Sequence, residues 1–304
     1  MQVKLADGWT NVFPNLPYKA ANGHVIKWSV HAAKVPYYSA GAAGASGSLA
    51  KLTYVFGSGG NGGGDTAKPA RHLGDPTVYL ASTLTEKQKN DYKLANQRAL
   101  AFFQELSEIA RSGGNENAVN FTALHKVSQG IRGWLVLDGT AIDYPIMKGT
   151  NNTYYLNHLP NKEVNYCGSL FIDSGCNRNF NGRNTVIYGH NLSGGSMLAS
   201  LAEYKNQSYF DAHPTMQLYT PDGNYTIELF ASFVSSDAYT RAAKTSFSGD
   251  TAFLDHINAC IRKSDITADV KINAGDKIVT FVTASNEYDD ARYVVMGRLA
   301  ALAS

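Results

Sequence analysis

The sequence predicts a mainly β fold, a closed barrel or a sandwich, with a helical segment ahead of it and one further helix before its last two strands. The first observation behind this is a series of eight short β-rich runs, at 133–137, 144–147, 169–172, 184–188, 215–220, 224–233, 277–283 and 292–299. Gly, Asn and Asp punctuate the series, as at Asp138-Gly139 and Asp222-Gly223, and strands at this spacing fold into a barrel or sandwich. The second is the stretch 84–111, whose apolar positions recur at helical rather than alternating spacing. The third is size: 304 residues, 44% of them hydrophobic, suffice for one large domain with a core and a small second one.

From the start of the chain, three strand-like runs at 3–13, 25–30 and 49–56 are divided by the turn signals Asn15-Leu16-Pro17 and Asn22-Gly23. They make up a first segment, 1–56, which is thin for an independent all-strand domain. Residues 57–64 are glycine-rich, uncharged and without apolar periodicity, so 57–70 reads as a flexible tether and 71–304 as the main domain. In the helix, Thr83 and Glu86 have capping-box spacing. Tyr92, Ala95, Ala99, Phe102, Phe103, Leu106 and Ile109 form the apolar stripe, and Gly113-Gly114 ends the element. The second helix is expected at 251–262.

Charge narrows the partners. With 27 basic and 25 acidic residues the net charge is only +2, which points away from nucleic acid and toward a substrate read by shape. No stretch approaches the roughly 18 apolar residues of a membrane span, and Met1-Gln2-Val3-Lys4 lacks the layout of a signal peptide. Any native anchor or export signal is therefore expected to be absent from this chain. Cys167, Cys176 and Cys260 cannot all pair and show no tight C-x-x-C spacing, so neither metal nor cofactor is expected. Cys167 and Cys176 enclose a short loop and are left open between a disulfide and two thiols.

The densest chemical signal lies near the end. Thr280-Phe281-Val282-Thr283-Ala284 is an apolar strand, Ser285 to Ala291 a polar loop rich in carboxylates, and Arg292-Tyr293-Val294-Val295 a second strand. Such a hairpin sets position 284 and Arg292 toward one pocket. Arg298 shares the parity of Arg292, but Arg292 adjoins the loop and is preferred. Far upstream, Asn184-Thr185-Val186-Ile187-Tyr188-Gly189-His190-Asn191 is a buried-type strand that delivers an imidazole at its end. His72, His125, His158, His213 and His256 are assigned to packing or surface.

The hairpin resembles the signature of class B sortases, Thr-Leu-x-Thr-Cys followed by a loop and an arginine strand, with Phe281 in place of Leu and Ala284 in place of Cys. Tyr188-Gly189-His190 matches the family's histidine motif, and Gly195-Ser196-Met197-Leu198 follows it. Further segments agree in order: Gly133-Trp134-Leu135, Asp143-Tyr144-Pro145-Ile146, Asn152-Thr153-Tyr154-Tyr155-Leu156-Asn157-His158 and Gly168-Ser169-Leu170-Phe171-Ile172-Asp173. The resemblance covers residues 84–299. It implies a closed eight-stranded sortase-type barrel and a transpeptidase at the extracellular face of the membrane. Such an enzyme cleaves a sorting signal of NPxT or LPxT type after Thr and passes the acyl group to an amine of a peptidoglycan cross-bridge or a pilin lysine.

By the same resemblance His190 and Arg292 are catalytic and Ala284 stands at the nucleophile position, while Asn152, Leu156, Tyr239 and Thr283 contact the peptide. Alanine has no nucleophilic atom, so the chain is expected to bind substrate without turning it over, as a Cys-to-Ala variant or a natural pseudoenzyme. At the other end, Asp7-Gly8-Trp9, Phe13-Pro14-Asn15-Leu16-Pro17 and Asn22-Gly23-His24-Val25-Ile26-Lys27-Trp28 resemble the later strands of a collagen-adhesin B-type repeat, and so a fused fragment. That resemblance lapses at His31-Ala32-Ala33, where such repeats often carry an acid. Two rival functions remain: an adhesive surface module, and a hydrolytic cysteine protease using Cys167, Cys176 or Cys260.

Overall fold

The computed structural model describes residues 10–13, 38–40, 44–46, 49–56, 84–113, 118–235, 242–287 and 291–302. The chain divides into two compact units, Met1–Asp65 and Thr66–Ser304. In the first, β1 (Thr10–Phe13), β2 (Tyr38–Ala40) and β3 (Gly44–Ser46) all pair antiparallel with the longer β4 (Leu49–Phe56). β1 and β4 fall within two of the expected runs. The run at 25–30 and the tether at 57–70 lie outside the described residues, whereas β2 and β3 are built from Gly, Ala, Ser and Tyr and carried no β-branched signal.

The second unit begins with α1 (Glu86–Arg111). Its capping box is formed by Thr85 and Gln88, whereas Thr83, expected to cap it, lies outside the described residues. Thr85 Oγ1 accepts from the Gln88 N–H at 3.2 Å and Gln88 Oε1 accepts from the Thr85 N–H at 2.8 Å, which satisfies two orphan donors of the first turn. Ala99, Phe103, Leu106 and Ala110 form its buried stripe. At its far end Arg111 Nη2 reaches both oxygens of Asp143, at 2.8 and 2.9 Å, and the same carboxylate accepts from the indole N–H of the buried Trp134 at 2.6 Å. A second helix, α2 (Phe121–Val127), is capped by the Asn120 side chain.

All eight expected strands form: β5 (Ile131–Val136), β6 (Asp143–Lys148), β7 (Leu170–Ile172), β8 (Asn184–Tyr188), β9 (Thr215–Thr220), β10 (Gly223–Ser235), β11 (Ile278–Ala284) and β12 (Arg292–Ala301). They close into a barrel in the order β10-β12-β11-β8-β7-β6-β5-β9, with β9 returning to β10. Two pairings are parallel, β6 with β7 and β8 with β11, and each needs a long crossover. The crossovers hold the 3-10 helices Tyr154–Leu156 and Ala199–Lys205 and the helices α3 (Gln207–Ala212) and α4 (Asp250–Ile261). β8 and β11 are buried at every position, as expected of strands covered on both faces. Among the described residues no helix is long and apolar enough to cross a membrane.

Candidate active site

Three neighbouring strand ends build the site. β8 runs parallel to β11 with Tyr188 opposite Val282, and the ladder continues as the Gly189 N–H donates to the Val282 carbonyl at 3.3 Å. Carried two residues on, this register sets residue 190 beside residue 284. β12 is antiparallel to β11, and its first residue, Arg292, is the register partner of Ala284. Partners across a ladder, and residues two apart along a strand, project from one face. Ala284 and Arg292 therefore share a face on strands roughly 4.8 Å apart, and His190 follows directly on the β8–β11 seam, next to Asn191, whose amide reaches the Ala284 carbonyl. His190, Ala284 and Arg292 are all buried, at 4%, 5% and 5% exposure.

Each is held by its neighbours. A Cβ on Gly189 would come within 2.4 Å of Leu170 Cδ2 and 2.7 Å of Leu198 Cγ, so only glycine lets the end of β8 lie this deep. The carbonyl of His190 accepts from the Leu198 N–H at 2.8 Å, and His190 Nε2 lies 2.7 Å from the carbonyl oxygen of Leu156. A carbonyl only accepts, so Nε2 carries hydrogen. Asn191 turns its backbone toward Met197, and its side chain takes over the ladder: Nδ2 donates to the Ala284 carbonyl at 3.0 Å, where the next backbone rung would fall.

Arg292, a permanent cation, donates from Nη1 to the Ala291 carbonyl at 2.7 Å. The hairpin loop is closed by the Ser285 N–H donating to that same carbonyl at 3.0 Å. It is tied to the second 3-10 helix by an ion pair of Lys205 with Glu287 at 2.6 Å.

Of the other expected site residues, Leu156 is buried and contributes its carbonyl to His190. Asn152 is buried as well, with both ends of its amide engaged: Nδ2 donates to Asp173 Oδ2 at 3.0 Å and Oδ1 accepts from the Ser174 N–H at 2.6 Å. Thr283 projects from the opposite face of β11 to Ala284, its hydroxyl donating to the Gly189 carbonyl at 2.8 Å. Tyr239 lies outside the described residues. Arg298, six residues beyond Arg292 on β12, is taken up by Glu228, which accepts from its Nε at 2.7 Å. His125, His158 and His213 contact the carbonyls of Ile131, Tyr154 and Tyr209 on elements of their own.

None of the three cysteines is in a disulfide. Cys167 Sγ faces Asn96 Oδ1 at 3.4 Å, whereas Cys176 Sγ faces the Asn184 carbonyl at 3.5 Å. Cys260 on α4 lies 4.0 Å from His256, the one thiol–imidazole pair of the described residues. Burial pushes the Cys260 thiol up to about 11, and burial followed by the nearby Lys244 charge pulls His256 down to about 4. Both groups are thus neutral near pH 7, the opposite of an activated thiolate–imidazolium pair.

No family model matches the chain. It is 36% identical to sortase B of Listeria monocytogenes over 179 residues, which is 58% of this chain and 72% of that protein. Sortase B of Staphylococcus aureus is 30% identical over 183 residues, 59% of this chain and 74% of the relative. Among solved structures, a Staphylococcus aureus sortase B–substrate complex superposes with a TM-score of 0.64 at 25% identity, covering 69% of this chain and 100% of that one. The chain belongs to the sortase B family.

Proposed function

We propose that this chain binds a C-terminal sorting-signal peptide of NPxT or LPxT type and, because residue 284 is alanine, does not turn it over. The observation behind the reading is that Ala284 and Arg292 are ladder partners and that the strand leading into His190 pairs with the same strand, β11. With a cysteine at 284, its thiolate attacks the carbonyl carbon of the peptide's threonine. Arg292 stabilises the developing oxyanion. As the tetrahedral adduct collapses, the threonine C–N bond breaks, His190 gives its proton to the departing amine, and a thioester remains. An incoming amine then forms the new amide and releases the thiolate, returning its proton to His190.

The acceptor is an amine of a peptidoglycan cross-bridge or a pilin lysine, and the reaction belongs to the extracellular face of the membrane. The pilin-like resemblance of residues 1–56 inclines the choice toward pilus assembly. Support for a peptide ligand comes from the relative solved as a substrate complex.

The test is to compare the chain with its Ala284→Cys variant on fluorogenic NPxT and LPxT peptides, with and without an added amine. Binding by both, with cleavage and acyl transfer only by the variant, is the expected result. An Ala284→Cys chain that is folded yet neither binds nor cleaves either peptide would sink the reading and leave the adhesive module.

A further inference from the structure

The geometry points to a feature of the proton carrier that the family assignment leaves open. We propose that His190 exchanges its proton through Nδ1, because the Leu156 carbonyl, seated against Gly168, keeps hydrogen on Nε2. The inference rests on the reading of His190 as the proton donor of the proposed reaction.

Of the two ring nitrogens, Nε2 is committed: it sits 2.7 Å from the Leu156 oxygen, an atom with lone pairs and no hydrogen to give. In a neutral imidazole the bond made by one nitrogen determines which tautomer is present. Here that tautomer is Nε2–H, leaving the lone pair on Nδ1. When the ring is protonated both nitrogens carry hydrogen. Loss of the Nδ1 proton to the leaving amine then restores the tautomer that Leu156 stabilises, whereas loss of the Nε2 proton would set two lone pairs against each other.

The carbonyl is itself held in place. Tyr154–Leu156 is a 3-10 turn, and the start of β7 lies directly against it, with the Ser169 N–H donating to the Tyr155 carbonyl at 2.9 Å. Contact this close requires residue 168 to have no side chain. A Cβ there would meet the Tyr155 oxygen at 2.4 Å, the Leu156 oxygen at 2.7 Å and the Leu156 carbonyl carbon at 2.9 Å. These are backbone atoms that no rotamer change can move aside. Gly168 also sits at φ +57°, in the left-handed region that favours glycine. Gly168 and the Leu156 peptide are thus positioning elements for the imidazole, acting across 34 residues of sequence between Leu156 and His190.

The deciding experiment is a nitrogen-15 histidine spectrum of the unsubstituted chain, recorded above the pH at which His190 becomes neutral and assigned by comparison with His190→Gln. The Nε2–H pattern is expected, and the Nδ1–H pattern overturns the proposal. Because no turnover is needed, this result stands apart from whether the Ala284→Cys variant is active.

A second arm adds Gly168→Ala to Ala284→Cys. We expect kcat to fall by about tenfold or more with KM nearly unchanged, because a general acid contributes roughly 100- to 10,000-fold and the displaced carbonyl forfeits part of that. The His190 spectrum should shift toward a tautomer mixture at the same time. A folded Gly168→Ala chain with unchanged kcat and unchanged tautomer overturns the positioning role, as does lost activity with the tautomer intact. Where that variant does not fold, the spectrum of the unsubstituted chain decides.

Discussion

Asn191 offers the sharpest test of how the strand ends are joined. Its side-chain amide replaces a backbone rung, bonding the carbonyl of residue 284 at 3.0 Å across 93 residues of sequence. Asn191→Ala deletes the donor and leaves the carbonyl to whatever water reaches it. One neutral hydrogen bond contributes about 1 kcal/mol net, with a further 1–2 kcal/mol lost if the acceptor stays dry. For a unit the size of Thr66–Ser304, where 1 kcal/mol shifts Tm by about 2 °C, that is a fall of roughly 2–6 °C.

The kinetic effect should be larger than the stability effect suggests. Under the proposed mechanism the freed carbonyl belongs to the residue that would carry the attacking thiolate once 284 is cysteine, and a displacement near 1 Å of a reacting group costs up to about 100-fold. In the Ala284→Cys background, kcat/KM is therefore expected to drop about 10- to 100-fold when Asn191→Ala is added. The assays are peptide cleavage with acyl transfer to an amine, and differential scanning calorimetry on the same samples. A lower Tm with kcat/KM unchanged within twofold would refute the reasoning, since it would show that β11 keeps residue 284 in place without the amide.

Other expectations follow from the same geometry. In the Ala284→Cys chain, Arg292→Ala should cost about 100- to 1000-fold in kcat, and Arg292→Lys should recover little of it, because a point charge does not reproduce a planar fork. Asp173→Ala should cost about 3 kcal/mol in a urea melt: the buried carboxylate accepts from Asn152 Nδ2 at 3.0 Å, the Tyr188 hydroxyl at 3.1 Å and the Gly175 N–H at 2.7 Å, and all three donors lose their partner. Burial pushes the Cys176 and Cys260 thiols up to about 11, so iodoacetamide at pH 8 should label them only on unfolding. Since their folded values lie above the unfolded value, their contribution to stability is complete below about pH 9 and is lost as pH rises toward 11. His256 is the mirror case: depressed from 6.5 to about 4, it favours the fold above pH 6.5 and withdraws that support as pH falls toward 4, a dependence that His256→Phe should abolish in pH-resolved melts.

What could be read in advance follows the range of the forces involved. Each of the eight strands left a local trace in its apolar runs and turn residues, and α1 left its stripe of Ala99, Phe103 and Leu106. The shorter elements left none. α2, α3 and the two 3-10 helices are three to seven residues long, too short for a 3.6-residue period to show. The cap falls two residues later than expected because Thr83 and Thr85 are the same residue type, and the helix begins only after Thr85, whose hydroxyl meets the Gln88 N–H.

His190 and Arg292 were legible as residue types at strand ends. Their grouping with residue 284 came only from the resemblance to class B sortases, since the parallel pairing of β8 with β11 is imposed by barrel closure and recorded in no local pattern. The contributions of Leu156 and Asn191 to the imidazole and to residue 284 were hidden for a related reason. The first is made by a backbone oxygen, and the second by a side chain substituting for a rung of the ladder.

The parallel β8–β11 seam also governs when the site comes into being. The strand leading into His190 is made before its neighbours β11 and β12, and contacts this distant in sequence form slowly. A chain still being synthesised therefore displays His190 before Arg292 and residue 284 have been made. In a cysteine-bearing relative with this topology, the thiol would emerge with the final hairpin and meet its partners only as the barrel seals, which keeps a half-made enzyme chemically silent toward the peptides around it.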